Sequence, residues 1–320
     1  MKNGDNNIVE KLSKRLKQQR VLIILLAICV PIAGYFSPQY FGLNPVTESN
    51  FPMLDPLREF VPVESYVNNI QPLRDYLQEF GAQYPDSISI YYENINSGAS
   101  IAVNKELALF PASLSKLVQA ILIVKKVEEG VWAWDKQLKA LPEDISSDSG
   151  TLYQSIGDKP ITVEKLLEEL LVNSDNTAQN IFKHQLIVDD YIKFQYETGL
   201  QDLYNDKGLI SAKEYSRILR VLYTSSFLEP ENSEKILEYM SVATFKDYLS
   251  QGIPSDIKFA HKYGENKEYN IFADSGIVYV TNKPYMITVM IKGKDSTVET
   301  RAWAKQLMKE ISEHAYNVSK

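Results

Sequence analysis

The order of strand-like and helix-like segments is the feature that most restricts how this chain can fold. Two segments of alternating polar and apolar residues come first, a long helical stretch follows, and three more strand-like segments precede a closing helix. The predicted strands are 87–94, 100–103, 257–263, 270–280 and 285–292, and the predicted helices are 70–80, 112–129, 162–172, 175–186, 189–197, 211–224, 231–240 and 296–316. This order predicts an α+β fold, in which one antiparallel sheet takes its strands from both ends of the chain. Helices flank the sheet, and the middle of the chain forms an all-helical block.

The composition limits the function. Of 320 residues, 44% are hydrophobic, which is enough for a sizeable core. The net charge of -7 gives the chain no overall electrostatic attraction for nucleic acid. A single cysteine excludes an intrachain disulfide and a multi-cysteine metal site, and His184, His261 and His314 are not spaced as metal ligands. We therefore expect a globular domain that uses no metal, no cofactor and no nucleic acid.

The N-terminus departs from this average. Residues 1–20 carry six basic and two acidic side chains, and Val21–Phe36 contains no charge at all. An uncharged helix of this kind next to a basic flank is typical of a transmembrane anchor whose flank stays in the cytoplasm. We predict a basic cytoplasmic tail over 1–20 and a single transmembrane helix over 21–37. The protein would then lie in the cell membrane, with the rest of the chain outside the cytoplasm.

Two alternatives to a transmembrane anchor, a cleaved signal peptide and a lipid attachment site, would also place the rest of the chain outside the cytoplasm. The apolar run is short enough to be a cleaved signal peptide, and Leu26–Cys29 resembles a lipoprotein attachment sequence. Five prolines then punctuate residues 38–68, which predicts an extended linker before a packed domain over 69–316.

A possible nucleophile and base lie at the start of the first long apolar helix. Ser113 and Lys116 are three positions apart and therefore share one helix face. A serine hydroxyl needs an adjacent base to attack a carbonyl, and a lysine whose pKa is lowered by burial can be that base. The pattern alone is weak, because Ser255 and Lys258 repeat it.

Two further motifs strengthen the hypothesis. Ser174-Asp175-Asn176 lies where one predicted helix ends and the next begins, a place where these residue types also serve as ordinary helix caps. Lys262-Tyr263-Gly264 lies at the end of a predicted strand, where the plainer interpretation is an edge-strand lysine.

The three motifs, in this order, resemble those of the penicillin-recognising serine enzymes, and those of class A β-lactamases in particular. The flanking sequences Phe110–Lys116 and Leu170–Ala178 are similar to class A enzymes, and Asp274–Tyr279 is similar to β-lactamase-related serine hydrolases that are membrane-anchored. The resemblance covers residues 69–316 and implies a class A β-lactamase-like fold.

The resemblance also implies roles for individual residues. Ser113 would be the acylated nucleophile, and Lys116 would help to deprotonate it. Ser174 would pass a proton to the leaving nitrogen, and Lys262 would attract a substrate carboxylate and assist the proton relay.

Four further positions would contact the substrate. Asn176 would hold an amide group, and Tyr263 takes the place of a residue that binds the substrate carboxylate. Gly264 would let the backbone approach the substrate closely. The backbone N–H groups of Glu265 and of Ser113 would form the oxyanion hole.

The sequence departs from the family in two ways. The position of Tyr263 usually holds Thr or Ser, so recognition of a carboxylate is in doubt. The glutamate with which class A β-lactamases hydrolyse the acyl-enzyme has one near match, Glu197, which follows Ser174 too soon and is better explained as a surface residue at a helix end.

These features together predict a membrane-anchored serine hydrolase outside the cytoplasm. It would form an acyl-enzyme on Ser113 with a β-lactam or with a D-alanyl peptide of peptidoglycan, as a penicillin-binding protein or D-Ala-D-Ala carboxypeptidase does. Without the glutamate, efficient β-lactam hydrolysis is not expected. The alternative is a catalytically degenerate module that binds penicillin or peptidoglycan without turnover.

Overall fold

A computed structural model of the chain describes residues 69–320 and the single residue Met53. The predicted cytoplasmic tail over 1–20 and the predicted anchor over 21–37 lie outside these residues, as does the predicted linker apart from Met53. Within the part that is described, no helix is both long enough and apolar enough to cross a bilayer.

Eight helices and seven strands follow one another in the described residues. The helices are α1 (Gln71–Ala82), α2 (Lys116–Glu128), α3 (Val163–Val172), α4 (Asn176–Lys183), α5 (Val188–Thr198), α6 (Ala212–Tyr223), α7 (Pro230–Ser241) and α8 (Val298–Ser319). The strands are β1 (Ile88–Asn94), β2 (Ser100–Val103), β3 (Gln137–Leu138), β4 (Ile161–Thr162), β5 (Phe259–Asn266), β6 (Ile271–Val278) and β7 (Tyr285–Lys292).

Five of the strands form one antiparallel sheet in the order β2-β1-β7-β6-β5. The first two strands of the chain therefore join the last three, which confirms the predicted α+β fold. Strand β5 continues to Asn266, beyond the predicted end at residue 263. The third motif consequently lies inside a strand and not at its end. The two-residue strands β3 and β4 form a second small sheet, too short to show a period of two in the sequence.

The large sheet separates two hydrophobic cores. On one face, its side chains pack against α1 and α8 in a cluster that includes Leu77 and Ile311. The other face packs against the helical block formed by α2 to α7, in a cluster that includes Ile121 and Leu170. The candidate site lies where the helical block meets the edge strand β5.

Helix α2 runs through the centre of the helical block. Its first nine residues, Lys116 to Val124, are all buried, so it has no hydrophilic face in its first two turns. The predicted helix 112–129 begins instead as a tight 3₁₀ turn over Ala112–Ser115. The neighbouring helix α4 begins at a side-chain cap, because Asp175 accepts a hydrogen bond from the Ala178 N–H at 2.9 Å.

Met53 lies within the predicted linker but is fully buried against the domain. Its backbone N–H donates to the carboxylate of Glu234 at 3.0 Å, and its carbonyl accepts a hydrogen bond from the Tyr279 hydroxyl at 2.8 Å. Met53, which falls in the predicted linker over 38–68, is therefore docked on the domain. The reason is tertiary, since both partners come from segments more than 180 positions away.

Candidate active site

The three sequence motifs converge on one buried cluster of polar side chains. Lys116 donates hydrogen bonds to the Ser174 carbonyl at 2.5 Å, to the Ser174 hydroxyl at 3.2 Å and to the Asn176 amide oxygen at 2.6 Å. The Lys262 amine donates to the same Ser174 hydroxyl at 2.7 Å. The Ser174 hydroxyl thus joins two lysine amines that are far apart in the sequence.

Ser113 reaches this cluster through a strained turn. The preceding residue, Ala112, has a φ of 50°, a left-handed conformation that costs a residue with a Cβ about 1–3 kcal/mol. Ser113 itself lies in the 3₁₀ turn and is partly exposed, whereas Lys116, one turn later, is fully buried. The turn therefore carries a partly exposed serine three residues before a buried lysine, whose amine bonds Ser174 and Asn176. By contrast, the second Ser-x-x-Lys pair, Ser255 and Lys258, is exposed.

The second motif is also held by its backbone. Ser174 adopts a φ of 52° between α3 and α4, and the buried Asp175 carboxylate accepts N–H groups from Ala178 and Leu152, each at 2.9 Å. Ser174 is buried as well. Asp175 is therefore an ordinary helix cap, as the plainer interpretation of this motif predicts. Its capping role is compatible with the position of Ser174 between the two lysine amines.

Gly264 allows strand β5 to approach the serine turn. A Cβ on Gly264 would lie 2.9 Å from the backbone nitrogen of Ser113 and 3.1 Å from that of Leu114. The sequence predicted that Gly264 lets the backbone approach the substrate closely. The structure shows that the absence of a Cβ also leaves room for the turn that carries Ser113. The next residue, Glu265, turns its carboxylate to Tyr248 and Arg301, at 2.5 and 2.9 Å.

Burial of the two lysines changes their acid–base chemistry. It lowers the pKa of Lys116 to about 7, while the nearby Asp175 carboxylate acts in the opposite direction. Burial, and secondly the proximity of Lys116, hold the pKa of Lys262 well below its usual range, partly offset by Asp274. At this pKa a substantial fraction of Lys116 is a neutral amine at neutral pH; in that form it can donate only two of its three hydrogen bonds and has a lone pair to act as a general base.

The Tyr263 ring lies over the edge of this cluster. Its centroid is 4.4 Å from the Lys262 amine, and the ring stacks on Phe245 with centroids 3.7 Å apart at an interplanar angle of 9°. Burial raises the pKa of the Tyr263 hydroxyl, although hydrogen bonding with Ser149 and Ser174 acts against the rise. The phenol is therefore uncharged at neutral pH.

No acidic side chain between α5 and α6 takes the place of a deacylating glutamate. Glu197 is exposed in the last turn of α5, which ends with the left-handed Gly199 at a φ of 68°. The segment from Gly199 to Ser211 contains Asp202 and Asp206, and both are exposed. The structure therefore places Glu197 at a helix end, where the sequence predicted it.

Several residues around the site were not singled out from the sequence. Ser149 lies beside the second motif because its carbonyl accepts the Asn176 N–H at 2.9 Å, and Phe245 forms the stack with Tyr263. Beneath Lys262, the buried His261 and Asp274 side chains are paired at 2.8 Å. Ser149 and Phe245 lie in irregular segments, so no periodic pattern could have identified them. Among the described residues, no group of three or more His, Cys, Asp or Glu could hold a metal ion.

Comparison with known proteins identifies the family and the fold of this chain. The model of a family described as the beta-lactamase enzyme family matches residues 72–318. A mutant of PBP-A, solved as an acyl-enzyme complex with penicillin G, superposes with a TM-score of 0.68 at 22% identity and covers 78% of this chain and 96% of its own.

Two further structures show the same fold. An ancestral class A β-lactamase has a TM-score of 0.67 at 18% identity, covering 77% of this chain and 99% of its own. A β-lactamase from Chitinophaga pinensis has a TM-score of 0.69 at 15% identity, covering 78% and 100%. At these identities the likeness is one of fold.

Proposed function

Because this chain belongs to the beta-lactamase enzyme family, we propose that it is a serine hydrolase that forms an acyl-enzyme on Ser113. Its substrates would be a β-lactam or a D-alanyl peptide of the cell wall. The observation that carries the proposal is the Ser174 hydroxyl held between the amines of Lys116 and Lys262, at 3.2 and 2.7 Å. Two buried amines on one hydroxyl form a proton path that a purely structural cluster does not need.

The proposed reaction begins with the neutral Lys116 amine, which accepts the proton of the Ser113 hydroxyl. The oxygen attacks the carbonyl carbon, and the backbone N–H groups of Ser113 and Glu265 stabilise the resulting oxyanion. When the carbon–nitrogen bond breaks, Ser174 gives its proton to the leaving nitrogen and is reprotonated from the lysine side. The product is an ester on Ser113, with Asn176 and Gly264 lining the approach of the substrate.

Deacylation is proposed to be slow. Hydrolysis of the ester needs a base that orients water. The two buried carboxylates nearest the motifs, Asp175 and Asp274, already accept backbone N–H groups, at 2.9 and 3.1 Å. Glu197 is exposed at a helix end and is not placed to act as this base. A long-lived adduct with penicillin, as in a penicillin-binding protein, is therefore the expected outcome.

A labelled penicillin tests the proposal. We expect the intact mass of the protein to rise by the mass of the probe, and the label to be found on the peptide that contains Ser113. Ser113→Ala should abolish the adduct. Ser255→Ala is the matched control, since Ser255 belongs to the exposed second Ser-x-x-Lys pair. Rapid release of the label would show that deacylation is efficient after all.

A second candidate is a binding module without turnover, and one observation favours it. The Tyr263 ring, 4.4 Å from the Lys262 amine, narrows the access to the cluster. In this case penicillin or a peptidoglycan fragment would bind reversibly and leave the mass of the protein unchanged. The absence of a covalent adduct, together with no hydrolysis of small esters, would favour the module.

We also propose that residues 21–37 anchor the protein in the cell membrane, with the tail 1–20 in the cytoplasm and the hydrolase outside. The support is the uncharged run Val21–Phe36 after a basic flank. Carbonate extraction of membranes from cells that express the full chain should leave it in the pellet. A shortened, soluble product would indicate a cleaved signal peptide, and loss of anchoring in Cys29→Ser would indicate lipidation.

A further inference from the structure

The Tyr263 ring lies beside the buried Lys262 amine. It contacts the Lys262 amine at 4.4 Å on one side and stacks on Phe245 at 3.7 Å on the other. The amine that it covers is the one that bonds the Ser174 hydroxyl at 2.7 Å. The ring therefore lies next to the proton path, at the sheet edge of the cleft.

Neighbouring residues fix the ring in this place. Phe245 packs edge-on against Tyr248, with centroids 4.9 Å apart at 62°. The Tyr248 hydroxyl and the Arg301 guanidinium both bind the Glu265 carboxylate, and the guanidinium also lies 5.9 Å from the centroids of Phe245 and Tyr248. Because Phe245 is itself packed against Tyr248 and Arg301, the stack holds the Tyr263 ring in one orientation.

The Tyr263 hydroxyl reaches the second motif and the segment beside it. It interacts with the hydroxyls of Ser149 and Ser174, and the loop that carries Ser149 is tied to the second motif through the Asn176 N–H. A threonine in place of Tyr263 would be too short to make these contacts.

The charges beside the ring do not favour a carboxylate. Burial lowers the pKa of Lys116 and of Lys262, so their positive charge is reduced at neutral pH. The Arg301 guanidinium is shared between Glu265, at 2.9 Å, and Asp247, at 3.5 Å. A substrate carboxylate placed here would lose its water without gaining a full counter-charge, which is unfavourable.

We infer that Tyr263 is a specificity-determining residue that closes this end of the cleft to a carboxylate. Among the proposed β-lactam and peptide substrates, the enzyme would thus favour those that are uncharged next to the scissile bond over those that carry a carboxylate there. This inference rests on the proposed acylation of Ser113 and makes it specific. It follows that a carboxylate-bearing penicillin should acylate the natural chain more slowly than its uncharged methyl ester does.

Benzylpenicillin and its methyl ester are suitable probes, because they share the reacting ring and differ in one charge. The second-order rate constant of adduct formation is measured by intact mass for each probe. With the natural chain we expect the ester to react at least 10-fold faster than the acid. Tyr263→Thr should shift the ester-to-acid ratio at least 10-fold towards the acid, because it removes the ring and supplies a short hydroxyl.

Tyr263→Phe is the matched control, since it keeps the ring and the stack on Phe245 and loses only the hydroxyl. Because the lost hydroxyl also interacts with Ser149 and Ser174, the variant should keep part of the preference for the ester, with a ratio between those of the natural chain and Tyr263→Thr. Phe245→Leu, which removes the stacking partner and leaves Tyr263 in place, should give an intermediate ratio and serves if the Thr variant does not fold.

Two results would overturn the inference. The first is a natural chain that reacts with the acid as fast as with the ester, and the second is an unchanged ratio in both Tyr263→Thr and Phe245→Leu. In either case acylation of Ser113 would still be observed, so the proposed function would survive. A failure of both probes to acylate any of these proteins would refute the proposed function and the inference together.

Discussion

Replacing Lys116 by methionine should make the protein inactive and at the same time make its stability less dependent on pH. Lys116 is fully buried, and burial lowers its pKa from 10.5 to about 7. In the unfolded chain the amine binds a proton below pH 10.5, whereas the folded protein accepts that proton only below about pH 7. Burial of this amine therefore costs no unfolding free energy from proton binding above pH 10.5, and the cost grows as the pH falls towards 7, so the folded protein becomes less stable over that range. Methionine has a similar shape and no proton to bind.

The size of the effect follows from the shift in pKa. Each pKa unit corresponds to about 1.4 kcal/mol, so the full shift corresponds to about 5 kcal/mol of unfolding free energy. Between about pH 7 and pH 9, the natural chain should gain about 2 kcal/mol relative to Lys116→Met. Lys262 acts in the same direction, because loss of the neighbouring charge raises the pKa of Lys262 in the variant.

The hydrogen bonds that methionine removes do not disturb this test. The Ser174 carbonyl, the Ser174 hydroxyl and the Asn176 amide oxygen each lose a donor, at about 1–3 kcal/mol for a buried group left unsatisfied. These losses change the stability by an amount that varies little with pH. The difference in slope against pH therefore reports on the two coupled buried amines, Lys116 and Lys262, even if the variant is less stable overall.

Urea unfolding of both proteins at several pH values provides the measurement. Lys105→Met is the control, since Lys105 is exposed on the surface, and its curve should run parallel to that of the natural chain. The reasoning fails if the natural chain and Lys116→Met also give parallel curves between pH 7 and pH 9. A neutral amine would then not be present at Lys116 near neutral pH, and another group would have to act as the base.

Three other outcomes are expected for acylation by penicillin. Its rate should rise with pH and level off above about pH 7, because the pKa of Lys116 is lowered to about 7 and only the neutral amine accepts a proton; a flat stopped-flow profile from pH 5 to 9 would contradict this. Asp175→Asn should move the midpoint of that profile to lower pH, because the Asp175 carboxylate favours the charged form of Lys116, and an upward shift would be inconsistent with this electrostatic role. Gly264→Ala should slow acylation about 10- to 100-fold and also lower the melting temperature, because the new Cβ would lie 2.9 Å from the backbone nitrogen of Ser113 and force the turn to shift; an unchanged rate would show that the turn can move aside without loss of function.

The motifs could be recognised from the sequence because their spacing is local. Ser113 and Lys116 share one turn, and Asp175 caps a helix whose start is visible in the amino-acid pattern. The order of strands and helices likewise predicted an antiparallel sheet with strands from both ends of the chain. The helical pattern that ends before Gly199 also placed Glu197 at a helix end, and its short distance from Ser174 argued against a deacylating role.

The surroundings of Tyr263 could not be predicted in this way. Its stack on Phe245 depends on how an irregular segment folds back over β5, and Arg301 reaches Glu265 from a helix 36 positions later. Met53 was assigned to a linker because prolines surround it, and only the folded domain provides the partners that bury it. Contacts between distant segments leave no periodic trace in the sequence.

The two left-handed residues at the site have a consequence for how this protein tolerates mutation. Ala112 and Ser174 hold positive φ angles of 50° and 52°, and neither is a glycine. Glycine at either position would relieve the strain and release a backbone that is now constrained. Random substitution selected for heat resistance should therefore enrich glycine at Ala112, while selection for acylation should remove it; glycine at Ser174 would also remove the buried hydroxyl that both lysine amines bond. The site is thus a place where resistance to heat and catalytic competence draw the sequence in opposite directions.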